Sequence, residues 1–296
     1  MRLQAAMSFW IAGFLVSGVA ALPTPRQAEK ASKTTKPVPH SYVDGSFHSQ
    51  SLDREMRYRV LLPRSYHAGA QRFAVLYLLH GLYGSYTDWT KQSKLEDHAK
   101  VYPLIIVMPD AGDSWYTNSA TVPVDKFEDY IIKDLIPEID AHFRTKSSRS
   151  VRAIAGLSMG GYGAVKFALK YPQLFAFAGS LSGAFDAALN LDIRVPEYRE
   201  KLLAVFGRDG DPTRAANDVF ALAAQADASQ LPYVYIACGT EDGFLSINRD
   251  FVSGLSDKKI AFEYHETTGG HSWDYWDRSV QELLRSLAKT LNLPKS

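Results

Sequence analysis

Apolar and polar residues alternate over 41–49 and again over 55–62, the period-two pattern of strands covered on one face. Pro63 closes the second of these segments. Residues 73–79 and 104–108 are continuous apolar runs, as in strands covered on both faces, and Pro109 stops the latter. Helical spacing takes over at 127–143, where Phe127, Tyr130, Ile131, Leu135, Ile139 and Phe143 share a face. Pro137 inside that segment predicts a kink. There follow a strand over 151–155, a helix over 161–170, strands over 176–181 and 233–238, a helix over 245–255, a strand over 260–264 and a helix over 273–291.

Strands alternating with helices from residue 73 onward predict an α/β fold: a mostly parallel central sheet with helices on both faces. The two leading strands form its antiparallel N-terminal edge. Between 182 and 231 the alternation lapses, leaving room only for short helices over 198–206 and 217–224. That stretch is a candidate insertion over the active site. There is no internal repeat and no second-domain boundary, so residues 41–292 read as one domain.

The N-terminus follows other rules. Arg2, an apolar stretch over 5–19 and the small residues Val19-Ala20-Ala21 predict a signal peptide over 1–21. An uncleaved anchor is the alternative, although the stretch is short for a stable membrane span. Residues 22–40, rich in Pro, Lys, Thr and Ala, predict a flexible linker. The expected location is therefore secreted or periplasmic. A net charge of +1 over 296 residues, with no Lys/Arg cluster, gives no field to attract nucleic acid or an anionic membrane. The single cysteine, Cys238, excludes an intrachain disulfide and falls in an apolar run, as a buried strand residue does.

The chemistry is carried by Gly156-Leu157-Ser158-Met159-Gly160. A G-x-S-x-G sequence between a strand and a helix is the layout of a nucleophile elbow, with an ordinary glycine-rich strand-to-helix turn as the bland alternative. Acyl transfer by a serine needs an acid and then a histidine, each just past a later strand. The chain supplies Asp242, after the strand over 233–238, and His271, after the strand over 260–264. Glu241 is the alternative acid, and Asp242 also sits where a helix-capping residue belongs. His265 is the rival base, but it falls at the strand end and faces a sheet surface. Backbone N–H groups of Met159 and Leu82 are the expected oxyanion donors. His80, beside Leu82, reads as a residue that packs or fixes its loop. No two histidines stand at metal-ligand spacing such as H-x-x-x-H, and no cofactor or metal is expected.

Six stretches carry a family resemblance: Leu78-Leu79-His80-Gly81-Leu82, Met108-Pro109-Asp110, Ser114-Trp115-Tyr116-Thr117-Asn118, the 156–161 turn, Cys238-Gly239-Thr240-Glu241-Asp242 and Gly269-Gly270-His271-Ser272-Trp273. In these the chain resembles the esterase D-like family of α/β-hydrolases. That group includes S-formylglutathione hydrolases, tributyrin, feruloyl and acetyl-xylan esterases, and mycolyltransferases of the antigen 85 type. The 114–118 loop looks most like the tributyrin-esterase branch. The resemblance implies the α/β-hydrolase fold, a Ser158–Asp242–His271 triad, and Leu82 and Met159 as oxyanion amides.

The function expected is a secreted serine carboxylesterase acting on short-chain acyl or aryl esters, with a small-molecule or polysaccharide-linked ester as substrate. Alternatives are a feruloyl or acetyl-xylan esterase, an acyltransferase of the mycolyltransferase type, and an inactive binding protein on a hydrolase scaffold. Trp115, Tyr116, Tyr83 and Asn118 are the expected substrate-binding residues, Asn118 serving either substrate or its own loop. Phe244 and Trp273 lie beside the site, whereas Trp89 and Trp276 read as core helix residues. Glu128 and Asp129 begin a helix, where negative charge suits the dipole, and have no catalytic role. The imidazole must start neutral, so activity should climb through about pH 6–7.

Overall fold

The computed structural model describes residues 42–189 and 199–294. The expected signal peptide (1–21), the whole of the expected linker (22–40) and residue 41 lie outside the described residues, as does 190–198 of the candidate insertion. Eight strands form one sheet: β1 (Tyr42–Ser49), β2 (Arg54–Leu61), β3 (Ala74–Leu79), β4 (Leu104–Pro109), β5 (Arg152–Leu157), β6 (Phe177–Leu181), β7 (Tyr233–Gly239) and β8 (Phe262–Thr267). Their order across the sheet is β1-β2-β4-β3-β5-β6-β7-β8. β1 and β2 form the antiparallel edge, β2 meets β4 antiparallel, and every later pairing is parallel.

Alternation along the strands separates two apolar layers. Val75, Tyr77 and Leu79 of β3 join one core, with Ala74, Leu76 and Leu78 in the other. The first layer is covered by α3 (Phe127–Asp129), α4 (Ile136–His142), α5 (Met159–Lys170), α8 (Val219–Gln225) and α9 (Leu245–Asp257). The second is covered by α1 (Asp88–Gln92), α2 (Leu95–Ala99) and α10 (Trp273–Thr290). In α10 the buried Trp276, Val280, Leu283, Leu284 and Leu287 follow helical spacing. Each fully buried leucine there contributes about 1.5–3 kcal/mol relative to exposure. Between β6 and β7 lie α6 (Arg199–Phe206), α7 (Pro212–Ala216) and α8.

The structure departs from the sequence pattern in places. The helix expected over 127–143 is not uniform: α3 runs into a π-helical turn, Tyr130–Leu135, before α4. Pro137 supplies the reason, since it has no N–H for the Lys133 carbonyl, and the ladder widens just ahead of it. The last strand lies later than expected, at Phe262–Thr267, so His265 is inside it, opposite Ala237. Helices α1, α2 and α7, five residues each, carry too few apolar positions to show a period. Because β3, β5, β7 and β8 are parallel, their carboxyl ends share one rim, where ligands bind in open α/β sheets.

Candidate active site

β5 runs into Ser158, which sits at φ 53° and ψ −116° before α5 begins at Met159. A non-glycine residue there is strained, by about 1–3 kcal/mol. The flanking glycines allow it. A Cβ on Gly156 would lie 2.5 Å from the Gly160 carbonyl, and one on Gly160 would lie 2.6 Å from the carbonyl oxygens of Leu79 and His80. The turn is fastened by Ser158 N–H to Leu181 O at 2.8 Å and by Tyr162 N–H to Ser158 O at 3.0 Å. The strain thus lifts the Ser158 side chain to the rim.

The rim brings Ser158, His271 and Asp242 together. His271 Nε2 lies 3.0 Å from Ser158 Oγ, and His271 Nδ1 lies 3.0 Å from Asp242 Oδ2 and 3.2 Å from Oδ1. A carboxylate accepts, so Nδ1 carries the proton and Nε2 is left to accept from the serine hydroxyl. Phe244 N–H donates to Asp242 Oδ1 at 2.9 Å. Burial works against charge on Asp242, but hydrogen bonds from His271, the Phe244 amide and the Ser182 hydroxyl outweigh it and hold the carboxyl below its ordinary range. The His271 ring is packed by Trp276, edge-on at 4.9 Å, and by Phe244 at 4.9 Å. Trp276 is itself tied to Ser182 Oγ through Nε1 at 3.1 Å. Glu241 is exposed, and His265 pairs with Glu263 at 2.6 Å on the sheet edge, so neither rival reaches this group. Cys238 is fully buried in β7, and burial pushes its thiol up to about 12.

A cavity of about 820 Å³ opens over Ser158, within the size range of small-molecule sites. Leu82, Tyr83, Trp115, Phe244, Trp273 and Trp276 line it. Two of the expected pocket residues stand elsewhere. Tyr116 is fully buried and spends its hydroxyl on the His80 carbonyl at 2.9 Å. Trp115 and Tyr116 both have positive φ, 54° and 53°, so the chain turns between them and sends the two rings in different directions. Asn118 is a loop residue: its Oδ1 accepts Asp129 N–H at 3.1 Å.

Other participants carried little sequence signal. Asp186, Ala187 and Leu202 reach the cavity wall from the 182–231 segment. Lys166, fully buried in α5, donates to Tyr116 O at 2.6 Å and Thr117 Oγ1 at 2.7 Å, and lies 3.2 Å from Glu128 Oε2. The one available hint was a lysine inside the otherwise apolar face of that helix.

The family model described as "Putative esterase" matches residues 49–287. The chain is similar to the acetyl esterase of Caldicellulosiruptor saccharolyticus, 28% identical over 229 residues that cover 74% of this chain and 85% of that one. It is also similar to esterase Rv1288 of Mycobacterium tuberculosis (strain H37Rv), 35% identical over 241 residues, 72% of this chain; the match spans only 51% of that relative's length. Among solved structures, the Staphylococcus aureus fluorophosphonate-binding serine hydrolase FphF superposes with a TM-score of 0.75 at 28% identity, over 84% of this chain and 98% of the other.

Proposed function

This chain belongs to that esterase family of α/β-hydrolase-fold serine hydrolases, and from this premise we propose that it cleaves short-chain acyl or aryl carboxylic esters through a Ser158 acyl-enzyme. The observation that carries the reading is the continuous hydrogen-bonded line from Asp242 through His271 to Ser158, with both steps at 3.0 Å.

In the proposed reaction Ser158 Oγ attacks the ester carbonyl carbon while its proton passes to His271 Nε2. Asp242, ionised and buried, holds the ring tautomer and stabilises the imidazolium. The carbonyl oxygen, now negative, sits against the N–H groups of Leu82 and Met159. Met159 opens α5, so its N–H has no acceptor within the helix. Such a donor is worth about 2.7–4 kcal/mol at the transition state. The tetrahedral intermediate collapses, the C–O bond breaks, and His271 returns the proton to the leaving alcohol. Water then repeats both steps on the acyl-enzyme and releases the acid. The largely apolar wall formed by Leu82, Trp115, Leu202 and Phe244 supports an acyl or aryl group as the part recognised.

The N-terminal apolar pattern supports export of the enzyme, which N-terminal sequencing of secreted material tests. Among the described residues no helix is long and apolar enough to cross a membrane. Turnover of p-nitrophenyl acetate and butyrate by the native protein, abolished in Ser158→Ala, is the result expected of the catalytic reading; equal turnover by both proteins ends it.

A further inference from the structure

The carbonyl groups that leave strand β3 are held one after another. Trp89 Nε1–H donates to Leu79 O at 3.1 Å, the Tyr116 hydroxyl donates to His80 O at 2.9 Å, and His80 Nδ1–H donates to Gly81 O at 2.7 Å. Gly81 O accepts a second bond, from Gly84 N–H at 3.0 Å. His80 is 1% exposed, and its other nitrogen, Nε2, accepts Ala111 N–H at 3.0 Å. A carbonyl can only accept and a backbone N–H can only donate, so the ring is neutral with its proton on Nδ1. Burial, which pushes His80 down from its ordinary range, keeps it so.

The consequence lies in the geometry of the peptide unit. In a trans peptide the N–H points opposite to the C=O of the same plane. Two donors hold Gly81 O, so the Leu82 N–H of that unit is aimed the other way. Gly81, Leu82 and Ser158 line the same cavity. The next peptide unit is held as well. Asp113 Oδ1 accepts Tyr83 N–H at 2.9 Å, and Tyr83 has φ 61°. A rotation of either plane breaks one of these bonds. Neither His80 nor Asp113 lines the cavity, so neither acts by touching substrate.

We propose that His80 and Asp113 are the positioning residues of the oxyanion site, His80 fixing the plane that carries Leu82 N–H and Asp113 fixing the plane that follows. The proposal rests on the reading of Leu82 N–H as an oxyanion donor. It makes the strength of transition-state hydrogen bonding, and not ester binding, the catalytic property these side chains control.

The test compares p-nitrophenyl butyrate with its O-thionobutyrate counterpart, in which C=S replaces C=O. Sulfur accepts hydrogen bonds poorly, so the thionoester draws little from the two N–H groups. The ratio of the kcat/KM values, corrected for the hydroxide-catalysed rates, reads the oxyanion site alone. Asp113→Ala should lower kcat/KM for the ester about tenfold, a fraction of the ~10²–10³ that loss of a whole donor costs, and leave the thionoester within about twofold. Asp113→Asn, which still accepts Tyr83 N–H, should restore the native ratio. Asp113 is partly exposed at the surface beside Lys201, so these variants keep the fold. His80→Asn, which retains a donor near the Nδ1 position, should keep more of the ratio than His80→Leu. An unchanged ratio in Asp113→Ala, or an equal fall on both substrates, overturns the positioning role while leaving Leu82 as donor. A native protein with no preference for the ester overturns the Leu82 reading first, and the proposal with it.

Discussion

The ammonium of Lys166 donates to the carbonyl of Tyr116 at 2.6 Å, beneath the turn that presents Trp115 to the cavity. Trp115 and Tyr116 are consecutive non-glycine residues at positive φ, and each costs about 1–3 kcal/mol unless its surroundings hold it. Lys166 holds the turn from below through Tyr116 O and Thr117 Oγ1, with Glu128 as its counter-charge. Lys166→Met removes these bonds and leaves Glu128 with Lys170. The expected loss is about 1–3 kcal/mol in urea unfolding, from the buried acceptors left unpaired, together with a raised KM as Trp115 loses its support. Native stability in this variant contradicts the role.

Glu128 also sets an acid limit on stability. Burial opposes its charge, but Lys166, Lys170 and the Tyr171 hydroxyl outweigh burial and hold the carboxyl at about 2. The folded value lies below the unfolded one, near 4.3, so the stabilisation is complete above about pH 4.3 and is lost as pH falls toward 2. Glu128→Gln should therefore be less stable than the native protein at pH 7, with a gap that narrows on acidification through that window. A gap that widens there gives the wrong sign.

Asp242→Asn separates charge and tautomer from packing. The asparagine carbonyl still accepts Phe244 N–H, now 2.9 Å from Asp242 Oδ1, so the turn persists. Its amide no longer enforces Nδ1–H on His271, and kcat should fall by about 10⁴ with an unchanged melting temperature. A fall of less than about tenfold is inconsistent with Asp242 as the acid.

Trp115 packs edge-on against Tyr162 at 5.9 Å and tilted against Phe206 at 6.1 Å, closing one wall of the cavity. Trp115→Ala should raise the kcat/KM ratio of octanoyl to acetyl esters tenfold or more, since each accommodated methylene is worth about 1–3 kcal/mol. Asn118→Ala should leave that ratio alone and cost about 1 kcal/mol of stability through the lost bond to Asp129 N–H. A ratio that moves with Asn118 and not with Trp115 reverses the assignment.

The sheet was legible because its strands keep period two or run wholly apolar, as Leu104–Pro109 does between two neighbours. Chain order made Ser158, Asp242 and His271 legible as a group, since parallel strands bring their carboxyl ends to one rim. Tyr116 lies in the core and not in the pocket because two successive positive-φ residues, which no sequence pattern marks, turn its ring away from that of Trp115. The π-helical turn before Pro137 left no mark beyond the proline itself. The 182–231 segment was legible as a cover over the site, but not the residues that line the cavity, because Ala187 and Leu202 gain their place from tertiary packing, with only short helices to pattern them.

Trapping the acyl-enzyme tests the central claim most directly. The native protein is mixed with p-nitrophenyl butyrate, quenched in acid during the first turnover, and mapped by peptide mass spectrometry. One butyryl group per chain on the peptide that holds Ser158, absent in Ser158→Ala, is the predicted result. A butyryl group on any other residue, or one that persists in Ser158→Ala, contradicts it.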